Sequence, residues 1–99
     1  MFRHVVMFRW TDEVDAAHVA SVEAALSELP ASISSLRSYR FGADARVNDG
    51  NFDFVVTADF DDVDGYIAYR DHPDHLAMID RLIKGRVAER AAVQFEAGA

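Results

Sequence analysis

An α+β fold on a four-stranded antiparallel sheet, with its helices on one face, is predicted by three features of this 99-residue chain. Four segments carry apolar residues at the two-residue period of strands. The segments between them carry apolar stripes at helical spacing. The elements follow one another as β-α-β-β-α-β within a length that fits one domain.

The first strand is expected at Phe2 to Trp10. Phe2, His4, Val6, Phe8 and Trp10 share one face; Arg3, Val5, Met7 and Arg9 share the other, whose centre is also apolar. Neither face is patterned for bulk water. Thr11 and Asp12 suit a helix N-cap, and Asp12, Glu13 and Asp15 suit its positive end. Val19, Val22, Leu26 and Leu29 form one stripe, and Pro30 is expected to end the helix. His18 lies beside the stripe and reads as a boundary residue without a chemical role. A second strand is expected at Ile33 to Phe41, with Leu36 central. The run Asn48-Asp49-Gly50-Asn51 is a turn signature leading to a third strand, Phe52 to Phe60, which places Phe54 and Val56 on one face and Val55 on the other.

Asp61 and Asp62 precede a helix over Val63 to Arg70, where Tyr66 and Tyr69 share a side. A proline fits the first helical position and pushes its predecessor out of helical geometry, so Pro73 marks a helix junction. Beyond it Leu76, Ile79 and Ile83 keep helical spacing, and Gly85 suits the C′ position. The last strand is expected at Val87 to Phe95, with Val87, Ala91, Val93 and Phe95 on one face, followed by a frayed tail from Glu96 to Ala99. This order is the ferredoxin-like split arrangement. Its sheet face opposite the helices would carry Val5, Met7 and Val55 into water. At about 25 cal/mol per Å² that exposure costs a few kcal/mol. A homodimer stacked through the open sheet face would remove the cost.

Seventeen acidic residues against ten basic ones give a net charge of −7, the wrong sign for a nucleic-acid surface. No apolar run reaches the length of a membrane span, and no signal-peptide pattern opens the chain. The absence of cysteine removes disulfides and thiolate metal sites and fits a cytoplasmic location. There is no H-E-x-x-H motif, so no metal is expected even though His72 and His75 lie three apart.

Proton-handling residues concentrate in Tyr69-Arg70-Asp71-His72-Pro73-Asp74-His75. His72 falls at the N-cap and reads as structural. His75 falls in the first turn, where the positive helix end disfavours imidazolium and lowers the pKa. Such an imidazole is a candidate general base. Asp71 and Asp74, if close, would oppose that shift. Tyr69 is a candidate hydrogen-bond donor to a carbonyl or enolate oxygen. His4, a lone polar residue in an apolar row, is expected to reach the same site.

The segment Arg3-His4-Val5-Val6-Met7-Phe8-Arg9-Trp10, taken with Tyr69 and the H-P-x-H run His72-Pro73-Asp74-His75, resembles the stress-responsive A/B barrel domain (Dabb) family from Arg3 to Phe95. The resemblance implies a dimeric α+β barrel with a pocket between helices and sheet. One plant member of that family closes a linear polyketide by an aldol reaction without metal or organic cofactor. The positions matching its acid–base group are Tyr69, His75 and His4. Its aromatics on the first helix correspond to alanines and valines here, so a different lining is expected. Val6, Phe8, Val56, Leu76 and Ile79 are expected to line the pocket.

The resulting expectation is a homodimer that acts without a cofactor on a small aromatic or β-keto compound, as a cyclase or lyase. The alternative is a non-catalytic, stress-associated binding or structural dimer. A further alternative, from fold analogy, is a cofactor-free monooxygenase.

Overall fold

The computed structural model describes residues 1–98. Its elements are β1 (Phe2–Trp10), α1 (Ala16–Ser32), β2 (Ser38–Ala43), β3 (Phe54–Phe60), α2 (Val63–Arg70), α3 (Pro73–Met78), a π-helical turn over Ile79–Ile83, and β4 (Val87–Glu96). The strands form one antiparallel sheet in the order β2-β3-β1-β4, the ferredoxin-like arrangement expected from the sequence. No helix among the described residues is long and apolar enough to cross a membrane.

Register decides what faces the helices. Tyr39, Ala58, His4 and Gln94 are paired in one row across all four strands. The next row is Phe41, Val56, Val6 and Ala92. Small Ala58 separates the tyrosine from the histidine and leaves room above the sheet for α2 and α3. The core between the layers is built from Val22, Leu26 and Leu29 of α1, Phe54, Val56 and Phe60 of β3, and Tyr69 and Met78. On the opposite face Met7, Val93 and Phe95 are exposed, and Val5 pairs with both Val93 and Thr57.

Several boundaries differ from the sequence reading. The first helix starts later, because residues 11–14 close a turn through Val14 N–H to Thr11 O, and Asp15 supplies the cap by accepting from His18 N–H at 2.8 Å. Thr11 does not cap; its backbone N–H donates to Arg86 O and its buried hydroxyl has no partner among the described residues. Pro30 does not stop the helix, which runs on to Ser32 and closes with Ile33 N–H to Leu29 O. A proline keeps a helical φ, so near the end of a helix it mainly forfeits one hydrogen bond. The second strand therefore begins at Ser38, and Ile33 serves as a buried plug at the helix end. The third strand begins at Phe54 rather than Phe52. Asp53 sits just outside it and accepts from Trp10 N–H through its carboxylate at 2.8 Å.

Val87 does not share a face with Ala91, Val93 and Phe95. A register shift between Arg9 and Trp10 pairs Val87 with Trp10 and turns it to the helix side. Glu96 and Ala97 are not a frayed tail: β4 includes Glu96, and Ala97 N–H donates to Met1 O at 2.8 Å. Ala99 lies outside the described residues.

Candidate functional site

The junction at Pro73 forms as the residue order dictates. Asp71 caps the end of α2, His72 is extended, and its Nδ1 accepts from Asp74 N–H at 3.1 Å. His72 is thus a structural N-cap. With Pro73 at the first helical position, His75 points inward onto Tyr69, their ring centroids 4.1 Å apart. The His75 Nδ1–H donates to the carbonyl of Arg70 at 3.0 Å. A carbonyl can only accept, so Nδ1 carries the proton and the neutral ring keeps its lone pair on Nε2.

Tyr69 is buried and its hydroxyl is 2.8 Å from that of Tyr39, on the row shared with His4. Burial pushes the Tyr69 phenol up to about 12, and burial together with its neighbour pushes Tyr39 higher still. Both phenols are therefore neutral donors near neutral pH. His4 is 5% exposed, packs on Tyr66 at 4.9 Å between centroids, and accepts at Nδ1 from the Gln94 amide at 3.0 Å. Its proton then resides on Nε2. Burial, followed by the charges of Arg90 and His75, holds the His4 pKa down at about 4.

His75 is also lowered, mainly by burial, with His72 adding to the shift. The hydrogen bond to Arg70 O and the charge of Asp71 oppose it. The expected direction holds, but desolvation is the principal cause. Asp71 has little leverage because it pairs bidentately with the exposed Arg70 at 2.9 and 3.1 Å.

His4, Tyr69 and His75 line one cavity of about 270 Å³ between helices and sheet. Val6, Phe8, Val56 and Ile79 contribute its apolar wall, as expected. Leu76 does not: it is 51% exposed. Once His75 points inward, the positions three and four residues on, Met78 and Ile79, follow it, and Leu76 is rotated away. The π turn then brings Ile83 and Lys84 to the wall, with Lys84 N–H reaching Ile79 O at 2.8 Å. His18 holds this turn against α1, donating from Nε2 to Leu82 O at 2.8 Å, so its role is to position the cavity wall.

Four polar participants were not evident from sequence. Tyr39 pairs with Tyr69, Gln94 fixes the tautomer of His4, and Lys84 and Arg90 stand on the cavity wall. The strand alternation that places His4 on the helix side also places Tyr39 and Gln94 there, but only the register puts all three in one row. No cluster of three or more histidine, aspartate or glutamate side chains is arranged to hold a metal among the described residues.

A split β-α-β-β-α-β frame with a histidine–tyrosine cluster between sheet and helices defines a ferredoxin-like α+β protein with a candidate small-molecule site. The chain belongs to the stress responsive A/B barrel domain (Dabb) family, whose model matches residues 2–97. It is 49% identical to a dimeric ferredoxin-like protein of unknown function from Thermobifida fusca, with a TM-score of 0.90 over 97% of this chain and 90% of that one. It is 28% identical to a dimeric ferredoxin-like protein of unknown function from Bacteroides fragilis, with a TM-score of 0.81 over 97% of this chain and 95% of that one. A hydroxynitrile lyase from Passiflora edulis has the same fold at 13% identity, with a TM-score of 0.82 over 95% of this chain and 90% of that one. No curated protein matches the sequence.

Proposed function

We propose that this protein is a homodimer whose protomers each bind a small carbonyl compound and carry out cofactor-free acid–base chemistry on it, of the cyclase or lyase kind. The observation that carries this reading is the anchoring of His75 Nδ1–H on Arg70 O, which leaves an Nε2 lone pair in an apolar cavity beside a neutral phenol pair. In the proposed step, Nε2 takes a proton from the carbon next to the carbonyl. The C–H electron pair moves into the new C=C bond and the carbonyl pair onto oxygen. Tyr39 donates to Tyr69, which turns the Tyr69 O–H toward that oxygen, and His4 Nε2–H is a second donor. The enolate carbon then attacks a second carbonyl or regains a proton.

The test is exchange of the methyl protons of acetophenone for solvent deuterium, followed by proton NMR. Wild-type protein should accelerate exchange above buffer, and His75→Asn should lose the acceleration. Acetophenone binding without any accelerated exchange would instead favour a non-catalytic binding protein.

The dimer rests on separate support. Met7, Val93 and Phe95 present apolar surface on the sheet face that no helix covers. The similar Thermobifida fusca and Bacteroides fragilis proteins are dimeric. Val93→Asp would bury a carboxylate against the partner's apolar face, an expensive transfer. Light scattering should show a dimer for the wild type and a monomer for Val93→Asp; a dimer in both would move the interface elsewhere.

A further inference from the structure

The cavity wall is not electrically neutral. Lys84 and Arg90 stand on it, and no carboxylate does among the described residues. This is a local inversion of charge in a chain of net charge −7. The rest of the wall is largely apolar. The nearest ion-pair partner of Lys84 is Asp80 at 3.9 Å, with both side chains largely in water, so the pair is weak. Among the described residues no carboxylate pairs with Arg90, although most other arginines here have such a partner.

The two cations are also placed apart from the acid–base group. Arg90 pairs with Phe8, whereas Gln94 pairs with His4. Four residues of strand separate these rows, about 13 Å between α-carbons at the usual rise. Lys84 and Gly85 enter the wall from the turn before β4, at the Arg90 end; a positive φ of 79° at Gly85 lets the chain reverse there. The cavity thus takes His4 from one row of the sheet and its two cations from backbone toward the other end of β4, with largely apolar residues on the rest of the wall. Arg90 is near enough for its charge to disfavour protonation of His4.

We propose that the ligand of this cavity is an amphiphilic monoanion: an apolar, ring-sized body with a carbonyl at His75 and a carboxylate held by Arg90, with Lys84 assisting. An engineered cavity of about 150 Å³ holds benzene, so the volume here admits a ring with a short substituent. This inference rests on the proposed function only for the position of the carbonyl. A guanidinium–carboxylate contact is a charge-assisted hydrogen bond, and it discriminates strongly against a neutral isostere.

The test is calorimetric titration with 4-oxo-4-phenylbutanoate and with its neutral amide. Wild-type protein should bind the acid at least about tenfold more tightly, the size of one such contact. Arg90→Gln should reduce the preference to within about threefold with little change in affinity for the amide, and Arg90→Lys should restore part of it. Lys84→Gln should reduce it less. His75→Asn should leave the acid-to-amide ratio intact. Equal binding of acid and amide by the wild type, a preference that survives Arg90→Gln, or no binding of either at millimolar concentration would overturn the proposal. His75-dependent exchange of acetophenone alongside equal binding of acid and amide would retire the anion site alone. A preserved preference without any exchange would retire the acid–base reading and leave the anion site standing.

Discussion

His75→Asn should slow acetophenone deuteration by about 10²- to 10⁴-fold, the usual contribution of a positioned general base, while leaving the fold intact. The substitution suits the site because the Asn amide can replace the donor that Nδ1–H supplies to Arg70 O, while no basic nitrogen remains. Met78 and Tyr69 still pack around the smaller side chain, so the cost falls on chemistry rather than on the core. The pH profile carries a second signature. A base works when deprotonated, and burial lowers the His75 pKa below the ordinary 6.5. The rate should therefore stay level as pH falls through 6.5 and decline only below it. On the alkaline side Tyr69 must keep its proton, and burial holds that proton to about 12. Tyr69→Phe should cost about 10²-fold if the hydroxyl meets the developing oxyanion. A rate unchanged by His75→Asn would remove this imidazole from the reaction.

Acidification should destabilise the fold through the same buried rings. Unfolded, His4 takes a proton near 6.5; folded, it does so only near 4. Between those values the unfolded chain binds more protons than the folded one, so stability falls as pH falls. Above 6.5 neither state is protonated and the stability is complete. The shift from 6.5 to about 4 corresponds to a loss on the order of 3 kcal/mol at about 1.4 kcal/mol per unit. His75 adds a loss of the same sign. Asp59, Asp61 and Asp71, held low by Arg3, Arg37 and Arg70, act only below the ordinary carboxylate range. Urea unfolding at a series of pH values from neutral down to about 4 should show the decline, and His4→Gln should remove most of it. A flat profile for the wild type would mean that His4 is not buried as described.

The frame was legible in the sequence because its signals are local and strong. The first strand and the Val63–Arg70 helix follow from an uninterrupted period or a cap, and the last strand from the alternation of Ala91, Val93 and Phe95. The convergence of His4, Tyr69 and His75 was legible too, because Pro73 fixes the phase of the helix that carries His75 and alternation fixes the face of His4. The errors arose where tertiary packing overrides a local rule. Pro30 reads as a stop, yet burial of Leu29 and Ile33 makes it worth carrying the helix past it. Leu76 reads as the start of an apolar stripe, yet the inward turn of His75 leaves it in water. Tyr39, Gln94 and Arg90 lie far in sequence from Tyr69 and His75 and reach the site through strand register, and Lys84 reaches it through the π turn. Hydropathy carries no information about such a grouping, because its members come from β2, from β4 and from the turn between the π-helical segment and β4.

The most direct measurement is a nitrogen-15 NMR titration of the histidine rings in the wild-type protein. At neutral pH His75 should be an uncharged imidazole protonated on Nδ1, should gain its second proton only below 6.5, and should shift when a ketone is added. An imidazolium at neutral pH, or a neutral ring protonated on Nε2 instead, would contradict the account, because no lone pair would then stand ready in the cavity.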